Sequence, residues 1–137
     1  MILVDTGPLV ALFDPKDGQH ERCRATLRSL RDPLYTTVSV LTETFHMLSP
    51  GSHGSARLRD FIRKGGITLW FMDAQTIERA FDLMNRYSDH PMDLADASLV
   101  AAAEALEIRR IFTLDQGDFS SYRVLRGHLH EMLEILP

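Results

Sequence analysis

The chain has 137 residues, the size of one ordinary domain, and we expect a single domain over residues 1–137 with its own buried core. Its hydrophobic fraction of 45% and charged fraction of 25% are ordinary for a globular protein, and its apolar runs are too short to cross a membrane. The net charge of −4 argues against a simple nucleic-acid binder, which normally has a basic surface, so that any action on RNA would need help from cations.

Short apolar runs alternate along the chain with longer helical patterns, as is typical of α/β folds. Five strands are predicted from runs rich in apolar or β-branched residues: 2–4, 34–37, 67–71, 110–113 and 132–136. Five helices are predicted from the 3.6-residue period: 17–30, 39–48, 55–64, 74–87 and 94–107. The last helix is apolar nearly all round, which predicts a central position and makes the acidic Asp96 within it unexpected.

The N-terminus predicts no signal peptide, because no basic segment and no small-residue cleavage site accompany the first apolar residues. The single cysteine, Cys23, cannot form an internal disulfide, which agrees with a reducing compartment. We therefore expect a cytoplasmic protein without a membrane segment.

Several acidic residues are predicted to meet at one edge of the sheet. In a parallel sheet the carboxyl ends of the strands share an edge, which is where ligands bind in open α/β folds. Asp5 follows the first strand, Asp115 follows the fourth, and Glu43 lies near the start of the helix after the second. The helix with Asp93 and Asp96 leads back into the fourth strand, so its N-terminus lies at this edge too.

The convergence of acids predicts a site for a divalent cation. Carboxylate oxygens are the ligands that hard cations such as Mg²⁺ prefer. Without a cation, carboxylates within about 4–6 Å of one another repel and raise one another's pKa values. With one, the site attracts phosphate, which reconciles an acidic protein with an anionic substrate. The histidines lack the close spacing of a zinc site, and we expect surface or packing roles for them: His20, His46, His53, His90, His128 and His130.

Each acid also has a simpler structural interpretation. Asp5 begins Asp-Thr-Gly-Pro and Asp115 begins Asp-Gln-Gly-Asp, and both compositions are typical of turns. Asp93 and Asp96 have the positions of a helix N-cap and a first-turn carboxylate. Glu43 has a position compatible with plain solvent exposure. The shared edge and the apolar surroundings of Asp96 favour a metal site over these separate explanations.

Four segments of the chain resemble PIN domains, especially VapC-type toxins. They are Val4-Asp5-Thr6, the Ser-Val-Leu-Thr-Glu that ends at Glu43, the Asp-Leu-Ala-Asp-Ala-Ser-Leu-Val that begins at Asp93, and the Thr-Leu-Asp-Gln-Gly-Asp-Phe that begins at Thr113. The resemblance implies a three-layer α/β fold in which helices flank a five-stranded parallel sheet of order 3-2-1-4-5. It also implies an endoribonuclease that depends on Mg²⁺ or Mn²⁺, forms homodimers and is inhibited by a small antitoxin protein.

The resemblance also implies which acids bind the metal and catalyse hydrolysis of the RNA phosphodiester bond. Asp5, Glu43 and Asp96 take three ligand positions. Asp115 takes the fourth. In such a site the cation positions the scissile phosphate and activates a water molecule.

Four further residues are expected beside these ligands. Asp118 either reaches the metal in place of Asp115 or only holds its loop. Asp93 either binds the metal through water or caps its helix, and the cap is slightly favoured. Thr6 and Thr113 are expected to orient carboxylates or water through their hydroxyls.

Two other functions stay open at this point. One is a catalytically silent PIN-fold subunit that only binds a partner, and the other is a housekeeping RNA-processing nuclease. The intact acids favour a catalytically active protein over an inactive binding subunit. Metal-dependent cleavage of RNA distinguishes these two possibilities.

Overall fold

The computed structural model describes residues 1–89 and 91–137, so the expectation for His90 lies outside the described residues. The described part contains seven strands: β1 (Ile2–Val4), β2 (Leu34–Thr37), β3 (Thr68–Trp70), β4 (Arg110–Phe112), β5 (Val124–Arg126), β6 (Leu129–Glu131) and β7 (Glu134–Leu136). It also contains seven helices: α1 (Thr6–Phe13), α2 (His20–Ser29), α3 (Val38–Leu48), α4 (His53–Arg63), α5 (Ala74–Arg86), α6 (Leu94–Leu106) and α7 (Gln116–Ser121). Among these helices, none is long and apolar enough to span a bilayer.

Five of the strands form one parallel sheet in the order β3-β2-β1-β4-β7. The predicted α/β fold and strand order are therefore confirmed, with β7 as the fifth strand. The central strand is the Ile-Leu-Val run at the N-terminus, and all three of its side chains are buried. A strand with neighbours on both sides and helices over the sheet has no solvent face, which is why its sequence is continuously apolar rather than alternating.

Helix α6 occupies the central position that its composition predicts. It packs against α3 and α5 and against strand β2. Its small residues are buried on most sides, which lets neighbouring elements approach closely. One buried contact joins the hydroxyl oxygens of Thr37 in β2 and Ser98 in α6, which lie 2.6 Å apart. The N-terminus of α6 is thereby held at the carboxyl edge of the sheet.

The five predicted helices do not include α1, and the Asp-Thr-Gly-Pro at its start was considered only as an alternative turn. Asp5 is the N-cap of this helix, and its side chain accepts a hydrogen bond from the backbone N–H of Thr6. Pro8 lies in the first turn, where a missing N–H removes no intrahelical bond. An acidic cap followed by a first-turn proline is a helix-start pattern, so this segment carried a signal that was not used.

Two later elements also differ from the prediction. Asp115 caps the short helix α7, whose Phe119 is fully buried and anchors it to the core. Strands β5 and β6 form an antiparallel hairpin outside the main sheet, and Gly127 in its turn has a φ of 60°. Helix α3 begins at Val38, so Glu43 lies in its second turn, near the start of the helix as predicted.

Candidate metal centre

The carboxyl edge of the sheet opens into a cavity of about 530 Å³. Its lining includes all the acids singled out in the sequence: Asp5, Glu43, Asp93, Asp96, Asp115 and Asp118. Thr6, Gly7, Pro91 and Leu114 complete the lining. The topology thus brings together side chains from the ends of β1 and β4, from α3, and from the start of α6.

Asp5 is the most buried of these acids, with only 8% of its surface exposed. Its backbone N–H donates to the Phe112 carbonyl oxygen at 3.0 Å, so the β1–β4 pairing extends to this residue. Its Oδ1 accepts the Thr6 backbone N–H at 2.8 Å, and its Oδ2 accepts the Thr113 hydroxyl at 2.7 Å. Both carboxylate oxygens are therefore held in place, while each retains a lone pair for a further partner.

Thr6 links the first strand to helix α3. Its hydroxyl donates to Oε1 of Glu43 at 2.7 Å, and the threonine itself is buried. Glu43 is an exposed residue of α3, so this hydrogen bond directs a long and otherwise mobile side chain toward the cavity. Adjacent residues of one segment, Asp5 and Thr6, consequently supply one carboxylate and orient a second.

Thr113 has a similar connecting role at the end of β4. Its hydroxyl donates to Asp5 and accepts the backbone N–H of Asp115 at 2.9 Å. Oδ1 of Asp115 in turn accepts the Asp118 backbone N–H at 3.1 Å, which is the N-cap bond of α7. The loop after β4 is thus tied to the end of β1 through one buried hydroxyl.

Asp93 and Asp96 share the N-terminus of α6. Asp93 is the N-cap, and its Oδ1 accepts the Asp96 backbone N–H at 2.8 Å. Asp96 is half-buried beside the cavity, and its Oδ2 accepts the hydroxyl of Tyr122 at 3.0 Å. Asp93 therefore has the capping geometry and also lines the cavity, whereas Asp96 is held by a side chain from another element.

The pKa values of two acids reflect this crowding. Burial raises the pKa of Asp5 to about 6, and repulsion from Glu43 and Asp115 adds to the rise. Burial likewise raises the pKa of Asp96 to about 7, with repulsion from Asp93 and Asp5 contributing. The hydrogen bonds from Thr113 and Tyr122 oppose these shifts without cancelling them. Raised pKa values on neighbouring carboxylates indicate a place where a cation would be favoured.

The donor chemistry of the cavity suits a hard divalent cation, since it offers carboxylate oxygens and hydroxyls. Within residues 1–89 and 91–137, no group of three or more histidine, cysteine, aspartate or glutamate side chains is placed so that all of them could hold one metal ion together. Mg²⁺ is commonly held by one or two carboxylates together with water and substrate phosphate, so an open cavity with oxygen donors around it is compatible with this ion.

Tyr122 donates a hydrogen bond to the cavity acid Asp96 and was missed by the sequence analysis. It follows the Asp-Gln-Gly-Asp-Phe segment, for which no helix was predicted, so its side chain had no predicted direction. The signal available was spacing: once Asp115 is an N-cap, Phe119 and Tyr122 fall three residues apart on one face of a short helix.

Comparisons with known proteins show a family and a fold for this chain. The family model of the PIN domain matches residues 2–125. The chain is 28% identical over 128 residues to Ribonuclease VapC26 of Mycobacterium tuberculosis, an alignment that covers 92% of this chain and 95% of that protein. The structure of the M. tuberculosis toxin VapC20, described as cleaving the sarcin–ricin loop, has a TM-score of 0.72 and 23% identity and covers 81% of this chain and 87% of that chain. A toxin–antitoxin complex from Klebsiella pneumoniae has a TM-score of 0.68 and 21% identity over 88% of this chain and 92% of that chain.

Proposed function

This chain belongs to the PIN domain family, whose model covers residues 2–125, and we propose that it is a metal-dependent endoribonuclease that hydrolyses RNA phosphodiester bonds. The observation that carries the proposal is the cavity at the carboxyl edge of the sheet, which is lined by six acids from several elements of the fold. The 28% identity to a protein named as a ribonuclease, over nearly the full length of both chains, supports the same activity.

Four acids of the cavity would hold the cation, and Mg²⁺ or Mn²⁺ is the ion that their oxygen donors suit: Asp5, Glu43, Asp96 and Asp115. When bound, the cation would position the scissile phosphate and activate a water for attack. Thr6 and Thr113 would keep the Glu43 and Asp5 carboxylates directed at it through the hydrogen bonds described above. Asp93 and Asp118 line the same cavity and would either add water-mediated contacts or only maintain the helix starts.

We further propose that the protein is the toxin component of a toxin–antitoxin pair. The support is similarity in fold to the VapC20 toxin and to the toxin–antitoxin complex of K. pneumoniae. A small antitoxin protein would be its partner, RNA its substrate, the cytoplasm its location and a homodimer its assembly. A housekeeping RNA-processing nuclease would share the chemistry but not the antitoxin.

The test is an RNA-cleavage assay with the purified protein in Mg²⁺, in Mn²⁺ and in excess EDTA. We expect cleavage with either cation and none in EDTA, because without a cation the carboxylates would repel the scissile phosphate and nothing in the cavity would offset the charge that develops on it. Full activity in EDTA would contradict metal dependence. Absence of cleavage with both cations, over a range of RNA substrates, would instead favour the silent binding subunit.

The toxin assignment has its own test, which is expression of the chain alone in a bacterial host. A toxin should arrest growth, and co-expression of its antitoxin should relieve the arrest. A housekeeping nuclease should leave growth unaffected at the same expression level.

A further inference from the structure

Tyr122 is a buried aromatic residue near the cavity, and other aromatic rings fix its side chain. It is 1% exposed, and its ring packs edge-on against Tyr87 and Phe119, with centroid separations of 5.2 Å in both cases. The two contacts have interplanar angles of 69° and 80°, which are favourable arrangements for aromatic pairs. Because the ring is enclosed in this way, the direction of its hydroxyl toward Asp96 is set by the core.

The residues at the two ends of helix α7 both interact with the cavity. Asp115, an acid of the cavity, is the N-cap of this helix, and Tyr122 is its C-cap. The backbone N–H of Tyr122 donates to the Asp118 carbonyl oxygen at 3.2 Å, which closes the last turn. One six-residue helix therefore places an acid at its start and, at its end, the donor that holds Asp96.

We propose that Tyr122 is a positioning residue for the cation site, which fixes the Asp96 carboxylate of α6 relative to the acids carried by α7. The proposal rests on the proposed function, because it assumes that a cation binds between these acids. A phenol that donates to one carboxylate oxygen restricts the side-chain torsions, and the remaining lone pairs of the carboxylate stay available to a cation.

A purely structural role is the competing explanation. A buried tyrosine hydroxyl usually has a hydrogen-bond partner, and Asp96 could serve only as that acceptor. In that case removal of the hydroxyl would change the stability of the fold and leave cation binding as it is. The two explanations therefore differ in cation affinity, which can be measured without any substrate.

The experiment compares Tyr122→Phe with Tyr87→Phe, and both variants keep their rings. The Tyr87 hydroxyl accepts the Arg123 backbone N–H at 2.9 Å, so Tyr87→Phe removes a phenol oxygen from the same aromatic cluster without removing a donor to Asp96. Titration calorimetry with MnCl₂ on each metal-free protein measures binding of the cation alone. Thermal melts in EDTA measure stability, and RNA cleavage against Mn²⁺ concentration gives an independent midpoint.

We expect Tyr122→Phe to weaken Mn²⁺ binding and to raise the Mn²⁺ midpoint of cleavage by about 10-fold or more, as is usual when a group that supports a metal ligand is removed. Tyr87→Phe should bind Mn²⁺ like the wild type. Unchanged Mn²⁺ affinity in Tyr122→Phe, or equal weakening in both variants, would overturn the positioning role. Failure of the wild type itself to bind Mn²⁺ would overturn the cation site as well, so the failure of either idea can be identified.

Discussion

The two edges of the parallel sheet place acidic residues in opposite electrostatic settings. At the amino edge, Oδ1 of Asp32 lies 3.7 Å from the Arg110 guanidinium, and Oδ2 accepts a hydrogen bond from the Met1 ammonium at 3.2 Å. Glu134 lies 3.7 Å from the same arginine. At the carboxyl edge, Asp5 and Asp96 are held by hydroxyl and N–H donors and lie among other acids.

This difference separates acids that are close to neutral for stability from acids that cost stability. Ion pairs at the amino edge lie at the surface and contribute little in either direction. At the carboxyl edge, burial and mutual repulsion raise the pKa values of Asp5 and Asp96, so ionised forms are unfavourable in the folded protein. Such an arrangement is expected where binding of a ligand, rather than folding, determines the choice of residue.

The largest effect should come from Asp5→Asn. Asparagine is also a good N-cap and keeps an oxygen for the Thr6 N–H, so the fold should persist while the ligand charge is lost. We expect RNA cleavage to fall by more than about 100-fold, since loss of a group that only supports a ligand already costs about 10–100-fold. Growth arrest on expression should be relieved in parallel. Cleavage at the wild-type rate by a folded Asp5→Asn protein would remove this residue from the site.

A smaller effect, on stability, is expected for Asp96→Asn. The amide removes one of the repelling charges and can still accept the Tyr122 hydroxyl. The metal-free variant should be as stable as the wild type or more stable, by about 1–2 kcal/mol at pH 8 after allowance for solvent access to this partly exposed side chain. Cleavage should be lost. A destabilised but active variant would mean that Asp96 is only a first-turn helix carboxylate.

The stability difference between Asp96→Asn and the wild type should depend on pH, because the pKa of Asp96 is raised in the folded protein. The pKa of Asp96 is raised to about 7 in the folded protein, so its folded form holds a proton that the unfolded chain releases near pH 4. Its contribution to stability is complete below pH 4 and is lost as the pH rises through 7. The melting temperature of Asp96→Asn relative to wild type in EDTA should therefore increase from pH 5 to pH 8. A constant difference across that range would contradict the raised pKa.

The smallest effect is expected at the opposite edge, for Asp32→Asn. Its ion pairs are exposed, so the free energy of unfolding should fall by about 0.2–1 kcal/mol, and the loss should shrink at high salt. Cleavage should stay at the wild-type level, which makes this variant the matched control for Asp5→Asn. Denaturant unfolding at low and high salt measures the free energy of unfolding, and the RNA-cleavage assay measures activity. A loss of cleavage in Asp32→Asn would mean that acids at both edges of the sheet are needed for activity, and it would contradict the difference between the two edges.

The sheet and its strand order were predictable because apolar composition and period report directly on burial. The Ile-Leu-Val run at the N-terminus indicates a strand buried on both faces, and the apolar α6 indicates a helix in the centre. The convergence of Asp5, Asp96 and Asp115 followed from the same topology, because parallel strands share a carboxyl edge. Helices α1 and α7 were not predicted, and Asp5 and Asp115, whose neighbours have a composition also typical of turns, act there as helix caps.

The sequence by itself determined the five strands of the sheet, the five longer helices and the edge that collects the acids, since these depend on local pattern and chain direction. Only the tertiary structure decided which donors hold each acid. Thr113 meets Asp5 across 108 residues of chain, Thr6 meets Glu43 across 37, and the Tyr122 hydroxyl meets Asp96 across 26. Such contacts depend on side-chain directions and on distances of about 3 Å between elements, which hydrophobic pattern does not encode because it specifies faces rather than atoms.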